Sequence, residues 1–105
     1  MTLTWSEIQE RDNREALSTG RGRTIGDTAG VLSLLVEDVQ ANAAGRALVQ
    51  DGSFEERWFL KCMTGDLPAL PIPDQVLRID GELFLVESAR EIEGMLNIRL
   101  KARRV

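Results

Sequence analysis

The chain reads as a small, mainly β domain, a β-sandwich or barrel, carrying one N-terminal α-helix. Three observations predict this. From Val31 onward, short aliphatic and aromatic runs alternate with turn signals at nearly regular spacing. An Asp-Gly dipeptide, Asp80-Gly81, lies between two apolar runs, the pattern of a tight hairpin. The one stretch with helix signals is confined to residues 4–18. With 105 residues, 43% of them apolar and 29% charged, the chain has the size and composition of a single domain, 1–105. We divide it into a peripheral helix (4–18), a flexible linker (18–30) and a β domain (31–103).

Residues 4–18, TWSEIQERDNREALS, open with a capping box, Thr4 followed three positions later by Glu7, and continue with good helix formers. Glu7 to Arg11 and Glu10 to Arg14 are i,i+4 pairs in the favourable order, each adding a few tenths of a kcal/mol at most. Apolar residues Trp5, Ile8, Ala16 and Leu17 bracket a wholly polar middle, so no continuous stripe ties the helix to a core. It is expected to touch the body only at its ends. Residues 18–30, STGRGRTIGDTAG, hold four glycines and four hydroxyl residues, which reads as a linker. The glycines of Gly20-Arg21-Gly22-Arg23-Thr24-Ile25-Gly26 have neither dinucleotide nor P-loop spacing.

In the β domain, Leu32, Leu34 and Val36 share one face of a first strand, and Ala47 and Val49 suggest a short second strand closed by Asp51-Gly52. In the next run, period-2 counting places Trp58, Leu60 and Cys62 on one face, with Cys62 inside, and Arg57, Phe59 and Lys61 on the other. Three prolines between Pro68 and Pro73 predict an extended connector without ladder bonds. The Asp80-Gly81 hairpin follows, then a reversal at Glu91 to Gly94. In the last strand Leu96, Ile98, Leu100 and Ala102 alternate with polar neighbours.

Composition narrows the chemistry. The chain has no histidine and no tyrosine, so it lacks the commonest general base and metal ligand, and Ser-His-Asp and Cys-His arrangements within one chain are excluded. Asp80 and Glu82 flank a solvated turn rather than a cleft, and the single thiol, Cys62, reads as a small buried hydrophobe. We therefore expect no enzyme, no cofactor and no metal site. Thirteen basic against 17 acidic side chains give a net charge of −4, which disfavours a grip on nucleic acid built from phosphate neutralisation. Apolar runs of about six residues fall far short of the roughly 20 needed to cross a bilayer, and the start lacks the features of a secretory signal. Together with the lone cysteine, this predicts a cytoplasmic protein without a membrane partner.

The residues whose best partners lie outside the chain are Trp5 and Ile8 on the helix, Arg21 and Arg23 on the linker, and Arg103 and Arg104 at the end. Arg103 and Arg104 follow Arg99 and Lys101 with no acid among them, a basic rim that could meet an acidic partner.

The order of these parts is the basis of a resemblance. An N-terminal helix and a glycine-rich stretch precede a start at Pro73 to Ile79, the turn Asp80-Gly81, an apolar strand Leu83 to Val86, a loop Ser88 to Gly94 and an alternating strand Met95 to Leu100. This order is similar to that of the small head-tail joining (connector or stopper) proteins of long-tailed bacteriophages and prophages. The similarity covers about residues 25–103, and Pro68 to Pro73 is richer in proline than that pattern. It implies a structural virion protein of β-sandwich or barrel type, monomeric when free and a hexameric ring when assembled. The ring would sit between the portal or adaptor proteins of the filled head and the tail tube or terminator proteins, with DNA only as cargo through the channel. Its place would be the host cytoplasm during assembly and then the virion. Segments 18–30 and 50–56 would be mobile in the free chain and order in the ring. The runner-up is a tail-completion or tail-terminator protein capping the tail tube. A third reading, an OB-type module for single-stranded nucleic acid, rests on Trp58 with Phe59 beside Arg57 and Lys61.

Overall fold

The computed structural model describes residues 4–39 and 54–104. It shows a mainly β chain: α1 (Trp5–Ala16) leads into six strands, β1 (Arg21–Ile25), β2 (Thr28–Glu37), β3 (Phe54–Met63), β4 (Val76–Ile79), β5 (Glu82–Ile92) and β6 (Met95–Arg104). All pairings are antiparallel and the strands close into a barrel in the order β1-β2-β3-β6-β5-β4. Of the two β architectures expected, the barrel is the one observed.

The helix begins where the capping signal places it. Thr4 Oγ1 accepts the Glu7 N–H at 3.2 Å, and Leu17 caps the other end, its N–H donating to the carbonyls of Asn13 and Arg14. The C-terminal turn is what docks: Leu17 is fully buried and the Asn13 side-chain amide donates to the Glu93 carbonyl at 2.7 Å.

Residues 18–30 are not a linker. They form β1, a two-residue turn at Gly26-Asp27 and the start of β2, with Arg21 opposite Ser33 and Arg23 opposite Val31. The glycines that suggested flexibility serve packing and turning instead. A Cβ on Gly20 would lie 2.4 Å from the Ser33 carbonyl oxygen, so only glycine lets the chain leaving α1 cross β2 at that distance. Likewise residues 54–56 belong to β3. The expected strand around Ala47 and Val49 lies outside the described residues.

The interior follows from period-2 alternation. Leu60 and Cys62 from β3, Leu77 and Ile79 from β4, Phe84 and Val86 from β5, and Leu96, Ile98, Leu100 and Ala102 from β6 point inward, as the pattern predicts for β3 and β6. Trp58 packs against this core, edge to face with Phe84 at 6.3 Å between ring centres. In strand β2, Leu32, Leu34 and Val36 share a face as expected, and it is the outer one; Val31, Ser33 and Leu35 face in. The phase is fixed by pairing Ser33 with Cys62 and Leu35 with Leu60, and by Gly20 crossing directly over Ser33, where a small side chain fits. The Ser33 hydroxyl, fully buried, donates to the Val31 carbonyl at 3.1 Å.

Two-residue turns set the remaining register. Asp80 and Gly81 have φ of 50° and 88°, and Glu93 and Gly94 have φ of 51° and 81°, the left-handed pair that matches strand twist. Residues 64–75, including the prolines, carry no strand, and Leu67 from this segment is buried in the core. The barrel closes between β1 and β4, where Ile25 stands opposite Ile79. Asp80 secures that seam twice: its N–H donates to the Thr24 carbonyl and its carboxylate accepts the Thr24 N–H, both at 2.9 Å.

Two substitutions test this account in urea titrations. Gly20→Ala should lose about 1–3 kcal/mol through overpacking against backbone that has no room to give. Asp80→Ala should lose about 1–2 kcal/mol, whereas Asp80→Asn, which keeps an acceptor and tolerates the turn geometry, should lose under about 0.5 kcal/mol. Equal losses for Ala and Asn would show that the carboxylate's bond to Thr24 contributes nothing.

Candidate functional site

The outer faces of β2, β3, β6 and the distal half of β5 form one shallow groove of about 550 Å³. Register dictates its contents. One row across the sheet reads Val36, Phe59, Arg99, Ser88, and the next reads Leu34, Lys61, Asn97, Arg90. Arg90 reaches this face only because of a bulge between Val86 and Ser88. Val86 and Ala89 both pack inward, so the two residues between them share the outward turn and the strand changes phase. Ile92 completes the margin.

The groove carries a concentrated charge of one sign. Among the described residues Lys61, Arg90 and Arg99 line it, no carboxylate does, and all three are exposed. None of them, nor Lys101 beyond them on β6, forms a salt bridge with a described residue. Arg99 lies over the Phe59 ring, its Cζ 5.5 Å from the ring centre, a cation–π arrangement. Arg57, one row away opposite Lys101, is neutralised by Glu55 and Glu87 and so marks the boundary of the unpaired positive field.

The residues singled out from the sequence do not converge on this groove. Trp5 opens α1, its side chain outside what the structure describes, and Ile8 is half-buried on the same helix. Arg21 and Arg23 come together on β1 at the barrel seam. Arg21 is largely exposed and faces Asp80 at 3.5 Å, while Arg23 is partly buried and donates to the carbonyl and hydroxyl of Ser33. Burial, and then the neighbouring Arg21 charge, lower the pKa of Arg23 against the pull of Asp80. The inward bonds come from its Nη1, while its Nε is buried without a hydrogen-bond partner among the described residues. Arg103 and Arg104 end β6, opposite Glu55 and Phe54, and their side chains are outside the described set. The pairing of Trp58 with Phe59 does not survive as a double aromatic platform. Trp58 faces the interior, its indole N–H donating to Glu56, and only Phe59 faces out.

Sequence reading missed Arg90, Ser88, Asn97 and the flanking Val36 and Ile92. The alternation Asn97, Arg99, Lys101 on β6 carried part of the signal, but strand order and the bulge, which bring Arg90 alongside, have no local signature.

Large apolar side chains are exposed elsewhere: Val76 and Leu83, 61% and 58% exposed, flank Arg78 on the outer side of the β4–β5 hairpin, and Leu70 and Ile72 in the proline segment are 47% and 64% exposed. Among the described residues no cluster of three His, Cys, Asp or Glu could hold a metal, and no helix is long and apolar enough to cross a membrane. Cys62 is fully buried, and its thiol is pushed up to about 11 by burial and then by the Asp66 charge. No family model matches the chain, and neither a curated protein nor a solved structure is significantly similar to it.

The Cys62 environment has a measurable consequence. The unfolded chain releases this proton near its ordinary value of 9.0 and the native one near 11, so thiol-linked stability is complete below pH 9 and is lost as pH rises towards 11. The difference in melting temperature between wild type and Cys62→Ala should therefore shrink across that window, and the native thiol should resist alkylation at pH 8 while the unfolded thiol reacts. A difference that is constant from pH 8 to 11 would contradict this placement.

Proposed function

We propose that the protein is a structural component of a tailed-phage virion that joins the DNA-filled head to the tail. The observation that supports this best is the exposed apolar surface on a barrel that is already closed. Closure removes the sheet edges that a small β domain would otherwise use for association. Val76 and Leu83 on the hairpin, and Leu70 and Ile72 in the segment before it, are large apolar side chains that no described residue covers, and exposed apolar side chains of this kind mark a surface for other subunits. The order of elements shared with head-tail joining proteins points the same way. A small barrel that presents sheet faces outward and holds its helix at the C-terminal turn through Asn13 and Leu17 suits a ring in which each copy is flanked by others and by head and tail components. Repetition around a ring gives strong holding from contacts that are individually weak. A protein capping the tail tube would use the same surfaces, and the two roles differ in which particle fails.

Electron microscopy of particles made without the protein separates them. Joining predicts filled heads beside separate tails of normal length; tails of irregular length would assign tail termination, and normal joined virions would exclude both. Within the joining role, Val76→Glu with Leu83→Glu should leave thermal stability within about 0.5 kcal/mol, since both side chains are already in water, yet should reduce joined particles sharply. Unchanged yield of joined particles would remove the hairpin face from the assembly surface.

A further inference from the structure

We propose that the groove on β2, β3, β6 and β5 is a binding site for the phosphate backbone of single-stranded nucleic acid. Its charge is the first reason. In a chain of net charge −4, the groove gathers Lys61, Arg90 and Arg99 with no carboxylate among the described residues that line it, and Lys101 continues the line along β6. All four lack an ion-pair partner among the described residues. A polyanion is thus drawn to this face and repelled by much of the remaining surface, which orients it.

The distribution of polarity identifies the class of polyanion. A protein interface has an apolar centre and a polar rim. This groove differs in keeping charge at its centre: Lys61, Arg99 and Asn97 stand around Phe59 in the middle, and the aliphatic Val36 and Ile92 stand at the margins, 46% and 47% exposed. Cations surrounding a single aromatic ring are the arrangement that tracks a nucleic-acid backbone and stacks a base. Phe59 is that ring, and Arg99, already lying over it, offers a second planar surface for stacking. Spacing agrees. Arg99 and Lys101 are two residues apart on one strand, about 6.8 Å, of the order of the separation between successive phosphates in an extended strand. Asn97, its amide donating to the Met95 carbonyl at 3.3 Å, keeps its carbonyl oxygen for a base edge.

The unfavourable net charge makes the contact weak, and its salt dependence is set by the number of cations that meet phosphate. This proposal does not require the joining role. Oligonucleotide binding is measured on the purified protein and joining on particles, so either can fail alone.

The test is fluorescence anisotropy with a labelled oligothymidylate of about 12 nucleotides, titrated from low to moderate salt. Four phosphate contacts predict a log–log salt slope near −3. Lys61→Glu with Arg99→Glu should weaken binding at least tenfold and flatten the slope, and Arg90→Gln, which changes a single exposed side chain on a different strand, should weaken it about threefold with the melting temperature unchanged. Amide shifts on adding oligothymidylate to the unaltered protein should map to β3, β6 and distal β5, a readout that needs no variant. No binding at about 1 mM protein in low salt overturns the proposal. So does binding indifferent to the groove substitutions, or displacement of the oligonucleotide by an equal charge concentration of polyglutamate, which would assign the groove to acidic protein.

Discussion

The structure depends on the closing of the barrel between β1 and β4. Every other seam is a ladder of four or more register pairs, whereas this one has Ile25 opposite Ile79 and little else. Hydrogen bonds at its two ends complete it. The Gly26 N–H donates to the Arg78 carbonyl at 2.8 Å, and Asp80 exchanges bonds with Thr24 through both backbone and carboxylate. If the seam opened, β1 and β4 would become free edges and the side chains of Ile25 and Ile79, each 2% exposed, would meet water, at a cost of about 1.5–3 kcal/mol apiece. Asp80 therefore does two things at once. Its left-handed backbone makes the hairpin turn, and its side chain latches the neighbouring strand.

Much of this was legible in the sequence, and the reasons for the exceptions are physical. Turns that need a left-handed pair announce themselves, so Asp80-Gly81 and the reversal at Glu93-Gly94 were readable. So were the inward sides of β3 and β6, because their alternation is strict. The stretch 18–30 was not, because glycine has the same letter whether it frees the chain or lets two segments touch, and Gly20 does the second. The phase of β2 was hidden for a related reason. Three leucines and two valines leave both faces apolar, and what decides between them is the buried Ser33 beneath Gly20, a tertiary fact.

The groove was legible only in part, because it belongs to no single segment. Arg99 and Lys101 stand out along β6, but Lys61 comes from about forty residues earlier and Arg90 from a strand whose facing changes midway. Composition pointed away from it altogether. A net charge is a sum over the whole surface, and a chain with an acidic total still places on adjoining strands four cations that have no ion-pair partner among the described residues. The average constrains long-range behaviour, while contacts are decided by what neighbours what.

The bulge after Val86 shows how much one residue can govern. An unbroken alternation from Phe84 would have sent Ser88, Arg90 and Ile92 into the oily interior and turned Ala89 to water. With one position that has no register partner, β5 keeps one phase as far as Val86, where it lies between β4 and β6, and takes the other from Ser88 on, where it continues along β6. The same strand thereby offers grease to the outside at one end and a guanidinium at the other. Inserting or deleting a residue in this stretch would be felt less as a change of length than as an exchange of inside for outside.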